Sequence, residues 1–173
     1  GVITYLGEAA GYVLRFENGL TVYFAGDTAL FGDMRLIRDL YKPTVAFLPI
    51  GDLFTMDPVA AAKACELLGV ATVVPMHYGT FPVLTGRPEQ LRELLAPLGV
   101  EVVQTPEKTL EIGAGDCDDK ATLLAALLLS IGHPARYVAV GAKPGHYSHV
   151  YVETRIGPRW VALETTEPVE AGW

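Results

Sequence analysis

Two sets of residues in this sequence have the types and spacing to do chemistry. The first is Cys117, His149 and Glu164, spread over the last third of a 173-residue chain. Cys117 stands in Gly115-Asp116-Cys117-Asp118-Asp119-Lys120, directly before Ala121-Thr122-Leu123-Leu124, which places the thiol in the first turn of an apolar helix. Unpaired N–H groups and the positive end of the helix dipole favour a thiolate there. His149 opens a stretch rich in β-branched and aromatic residues and Glu164 closes the next, so neighbouring antiparallel strands can carry an imidazole and a carboxylate toward the helix start. A cysteine nucleophile needs such a base, and the base needs a group that fixes its tautomer. The second set is Asp27 in Gly26-Asp27-Thr28 and His77 in Pro75-Met76-His77-Tyr78-Gly79-Thr80. Each follows an apolar run of strand type, and the ends of strands are where α/β sites are built.

Blander readings stand beside these. Cys117 reads as a small buried helix residue, with Asp116, Asp118 and Asp119 complementing the dipole of the first turn. A metal cluster of these aspartates with Cys117 is disfavoured, because hard carboxylates and a soft thiolate suit different ions. Asp27 reads as the cap of a helix beginning near Ala29, and His77 as a hydrogen-bonded strand-end residue. Cys65 falls with Ala61 and Leu68 on one helix face and reads as core. His133, before Pro134, reads as a loop residue, and His146 as solvated or as the rim of a groove.

The elements that must position these groups alternate between strand and helix over residues 11–111, which predicts an α/β layered architecture. Runs 12–16 and 20–25 flank Glu17-Asn18-Gly19, a hairpin signal. Runs 45–50, 71–75 and 100–103 read as buried strands. Asp57-Pro58 and Gly69 bound one helix, Arg87-Pro88 opens another that runs to about Leu95, and a third covers 33–40. Residues 105–115, punctuated by Pro106, Gly113 and Gly115, read as a polar connection, and the expected domains are 1–111 and 112–173. Beyond it the sequence predicts a buried helix from Cys117 to about Ser130 and three strands, 136–141, 149–155 and 159–164.

Over about residues 5–111 the sequence resembles the β-lactamase-like metal-dependent hydrolase superfamily, in its bacterial branch related to ascorbate-phosphate lactonases. The matching text is Gly11-Tyr12, 23–31, 48–56 and 75–82. The resemblance implies Asp27 as a carboxylate bridging two metals and His77 as a histidine ligand. It also implies an upstream His-x-His-x-Asp-His motif, and no histidine precedes His77 here. Over about 113–173 the sequence resembles the transglutaminase-like superfamily, in its protease branch, through 116–121, 132–136, 149–153 and 160–164. That resemblance implies Cys117 as nucleophile, His149 as general base and acid, and Glu164 in the place where the family usually has Asp. The expected whole is a chimera in the α/β (α+β) class: a partial metallo-β-lactamase-type sheet with helices, then a minimal transglutaminase-like helix with an antiparallel sheet.

The function expected from these motifs is cysteine acyl chemistry, hydrolysis or transfer, on peptide or glutamine-like amides, with no cofactor at the thiol site. The alternatives are a catalytically silent composite or truncated module, and a metal-dependent hydrolase with zinc or manganese at an incomplete site of Asp27 and His77. A net charge of -7 with no Lys/Arg run argues against a nucleic-acid partner. The longest apolar run is shorter than the roughly 20 residues that span a bilayer, so no membrane partner is expected. Two lone cysteines and no recognisable leader point to the cytoplasm, although the chain opens without Met in what reads as mid-domain sequence.

Overall fold

The computed structural model describes residues 10–143 and 148–166, so His146 lies outside the described residues. Packing divides the chain into two compact units, Gly1–Val102 and Val103–Trp173.

In the first unit Asn18-Gly19 turns β1 (Tyr12–Arg15) into β2 (Thr21–Phe24), with Gly19 at φ 89. The chain then crosses between parallel strands through helices. These are α1 (Met34–Tyr41), β3 (Val45–Pro49), α2 (Pro58–Leu68), β4 (Thr72–Met76), α3 (Pro88–Leu95) and β5 (Glu101–Val102). The sheet order is β1-β2-β3-β4-β5, antiparallel only at β1. One sheet face packs under the helices, with Tyr23, Ala46, Leu48 and Val73 meeting Ala61, Cys65, Leu68 and Leu91. Cys65 is fully buried and its thiol is pushed up to about 12, chiefly by desolvation, as a core cysteine should be. The caps read from sequence are in place: the Asp57 carboxylate accepts from Ala60 N–H at 2.7 Å, and Gly69 closes α2 at φ 65.

In the second unit α4 (Pro106–Ile112) and α5 (Cys117–Ser130) precede an antiparallel sheet of β6 (Ala135–Val140), β7 (His149–Ile156) and β8 (Arg159–Leu163), in that order. Helix α4 occupies the stretch expected to be a polar connection. Its reason is local: the Thr105 hydroxyl accepts from Lys108 N–H, Pro106 sits at the first helical position, and Gly113 ends the helix at φ 69. Helix α5 has the expected span but not the expected burial. Ala121 and Ala125 are enclosed above Val152, while Leu127, Leu129 and Ile131 are 48%, 60% and 71% exposed. A three-stranded sheet covers one stripe of a helix that is apolar all round.

The mixed α/β class expected from sequence is the class observed. Among the described residues, no helix is long and apolar enough to cross a membrane.

Candidate functional site

Asp27 and His77 leave the carboxyl ends of β2 and β4, with β3 between them. Two inter-strand spacings separate those strands by about 9–10 Å, so the loops must turn inward over the end of β3. Gly26 makes the first turn at φ 67, where an added Cβ would lie 2.9 Å from the Ala10 carbonyl oxygen. His77 makes the second in the left-handed region, at φ 53. Its carbonyl passes so close to β3 that a Cβ on Gly51 would fall 2.1 Å from it. Asp52 and Leu53, in the loop after β3, are also left-handed, at φ 69 and 46. Non-glycine residues in that region carry strain of about 1–2 kcal/mol each and collect at functional sites.

This backbone brings His77 Nδ1 to 3.0 Å from Asp27 Oδ1, with the Asp27 side chain 67% exposed and that of His77 28% exposed. The reading of Asp27 as a helix cap is corrected, because α1 starts at Met34 and the carboxylate faces His77. An imidazole nitrogen beside a carboxylate oxygen suits zinc or manganese by donor type. The number of donors falls short, since a catalytic zinc takes about three protein ligands. Among the described residues, no third His, Cys, Asp or Glu converges on the pair. Asp27 and Thr28 also wall a cavity of about 170 Å³ that continues past Tyr23 and Phe31.

In the second unit His149 and Glu164 meet, but in a different setting. Nε2 of His149 lies 2.6 Å from Oε2 of Glu164, whose side chain is 1% exposed. Oε1 of Glu164 accepts from Thr165 N–H, Thr166 N–H and the Thr166 hydroxyl at 2.8, 2.7 and 2.8 Å. Burial by itself would raise the Glu164 pKa. The bonds from His149, Thr166 and Thr165 outweigh it and hold the carboxyl at about 2, against an ordinary 4.5. Cys117 is a half-buried free thiol at the start of α5. The β7 side chains that pack toward that helix are Val150 and Val152, and the two-residue period groups His149 with Tyr151 and Glu153 instead. Among the described residues His149 is hydrogen-bonded to Glu164 and not to the Cys117 sulfur.

Asp116, Asp118 and Asp119 carry oxygens within 4.8 Å of one another. Their roles are accounted for by the helix start. Asp116 accepts from Asp119 N–H, and a hydrogen bond shared with Asp118 holds Asp116 below the usual carboxylate range. Asp119 is 3% exposed and accepts from the Gln104 N–H at 2.7 Å and from its side-chain amide.

Comparison with known proteins separates the two stretches. Residues 3–78 match the profile of the Beta-lactamase superfamily domain, and residues 96–165 that of the Transglutaminase-like superfamily. A protein of Solibacter usitatus named "UPF0173 metal-dependent hydrolase" is 59% identical over 102 residues, 59% of this chain and 44% of that protein. One of the same name from Roseiflexus castenholzii is 55% identical over 102 residues, 59% of this chain and 42% of that protein. A solved metallo hydrolase from Ignicoccus hospitalis is 44% identical, with a TM-score of 0.47 over 51% of this chain and 39% of that one. The chain thus spans less than half the length of these relatives.

These relatives overturn the cysteine reading. The function expected of Cys117, His149 and Glu164, acyl chemistry by a transglutaminase-like cysteine hydrolase, is not what the relatives are named for; they are metal-dependent hydrolases at 55–59% identity. The geometry of the second unit agrees with the relatives. Among the described residues the Glu164 carboxylate is hydrogen-bonded to His149, Thr165 and Thr166, and no hydrogen bond joins the Cys117 sulfur to His149. What sequence reasoning missed at the first site is Gly51 and the left-handed backbone of His77. The Gly51-Asp52 dipeptide after an apolar run was the available signal.

Proposed function

We propose that Asp27 and His77 are two ligands of a catalytic metal ion, zinc or manganese, and that the first unit is the metal-ligating portion of a metal-dependent hydrolase. The observation that carries this reading is the 3.0 Å meeting of an exposed carboxylate and an imidazole from non-adjacent strand ends. Strained backbone on both intervening loops supports it, as does the name shared by the relatives. Asp27 and His77 would hold the ion, and a metal there would supply Lewis acidity and a water nucleophile. Asp27 contributes the anionic donor and His77 Nδ1 the neutral one, while Gly51 keeps the loop close enough for the two to converge. The two stretches stand end to end as a composite, and its two free cysteines suit a reducing cytoplasm.

Metal analysis of protein purified with added zinc or manganese tests this. Stoichiometric metal, lost in Asp27→Ala and in His77→Ala, is the expected result, and a metal-free protein sinks the reading. The shortage of ligands favours a second reading, a folded module without turnover. Protein that binds metal at this pair and hydrolyses no ester, lactone or amide would establish it.

A further inference from the structure

Strand β6 leaves one side of the second unit's sheet open. It pairs with β7, and among the described residues no strand lies on its other side. At six residues it is also the longest edge strand among the described residues, and its register with β7 runs without a bulge. The opposite edge, β8, is more enclosed, with Ala162 buried and Val161 and Leu163 half-buried.

The ladder fixes which backbone groups face outward. Arg155 N–H donates to the Pro134 carbonyl and Ser148 N–H to that of Val140, so Arg136, Val138 and Val140 turn their backbone groups toward β7. The alternation of an antiparallel ladder leaves the N–H and C=O of Ala135, Tyr137 and Ala139 on the open side. Such a row templates a further strand, and edges are ordinarily protected by proline, a bulge or a free charge. The sequence Ala-Arg-Tyr-Val-Ala-Val has none of these. Its one charge, Arg136, is held by Glu153 at 2.6 Å and lies 4.3 Å from the Trp160 ring centre. Tyr137 on this strand is 55% exposed. Helix α5, which shares its small core with Ala135, leaves Leu127, Leu129 and Ile131 exposed at the end that leads into β6.

We propose that β6 is a dimerisation edge, on which β6 of a second copy of this chain pairs antiparallel across a two-fold axis at Tyr137. Ala135 of one copy then faces Ala139 of the other, and Tyr137 faces its own equivalent. All three outward residues exchange hydrogen bonds reciprocally, as a closed two-fold interface requires. The result is a six-stranded sheet with both α5 helices on one face. A second copy suits the edge because identical strands match at every outward residue and the seam is free of like charge. Arg136 is neutralised locally, and residues 121–135 hold no Asp, Glu, Lys or Arg in a chain of net charge -7. An edge about 20 Å long makes a small, reversible interface.

Sedimentation equilibrium of the intact chain over a concentration series tests this. A monomer–dimer equilibrium is expected, weakened about tenfold in Tyr137→Lys and in Tyr137→Glu, where like charges meet at the axis. Mixing the two variants should restore it, since lysine then faces glutamate. Amide exchange in the unsubstituted chain gives a second reading: Ala135, Tyr137 and Ala139 should slow as concentration rises, while Arg136, Val138 and Val140, already bonded to β7, stay constant. Neither variant touches Asp27 or His77, so the outcome is independent of metal binding. A chain that is monomeric throughout the series, a dimer indifferent to both variants, or a mixture that stays apart overturns the proposal.

Discussion

Each unit presents one histidine paired with one carboxylate, and the two pairs differ in what surrounds the carboxylate. Asp27 reaches His77 at 3.0 Å with two-thirds of its side chain in solvent. Glu164 reaches His149 at 2.6 Å with 1% exposed, and three further donors cover its other oxygen. The first pair hangs from loops over the ends of parallel strands, where backbone strain and close glycine approach keep the groups at the surface. The second closes β8 and locks the turn after it. A carboxylate left mostly in solvent can take a ligand, whereas one buried among hydrogen-bond donors holds structure. Similar residues therefore read alike in sequence and act differently in the fold.

The sharpest way to break this comparison is to remove each carboxylate. Glu164→Ala leaves a partly buried imidazole and the Thr165 and Thr166 N–H groups without their acceptor, and should lower unfolding free energy by about 3 kcal/mol, measured by denaturant melts. Acid should do the same work more gently. Because the folded pKa of Glu164, about 2, lies below its ordinary 4.5, the stability it contributes is fully present above pH 4.5 and lost as the pH falls toward 2. Glu164→Gln should flatten that dependence, and an unchanged acid limb would contradict a role for the carboxylate. Asp57→Ala, which deletes the cap of α2, should cost about 1 kcal/mol. Asp27→Ala should cost less than about 0.5 kcal/mol, as for exposed ion pairs, while losing any metal; a large loss of stability there would make the pair structural.

Much of the fold was legible because its signals are local. Asn18-Gly19 marked the hairpin, Asp57-Pro58 and Gly69 bounded α2, and short apolar runs marked β3 and β4. Helix α4 was missed because Gly113 and Pro106 were read as loop punctuation, although Thr105-Pro106 is also a cap followed by a first-turn proline. The exposure of Leu129 and Ile131 was illegible because apolarity shows what a side chain prefers, not how much neighbouring surface exists to cover it. Asp27 and His77, singled out by their places after strands, do meet in the fold. Order in sequence suggested that Cys117, His149 and Glu164 act together, but order does not say which face of β7 each group shares.

The most direct test of the account is a zinc titration of the intact chain followed at the histidine ring resonances. The account predicts that substoichiometric zinc shifts His77 first, leaves His149 unmoved in its bond to Glu164, and loses the His77 response in Asp27→Ala. Zinc that shifts His149 first, or that shifts His77 equally with and without Asp27, would contradict it.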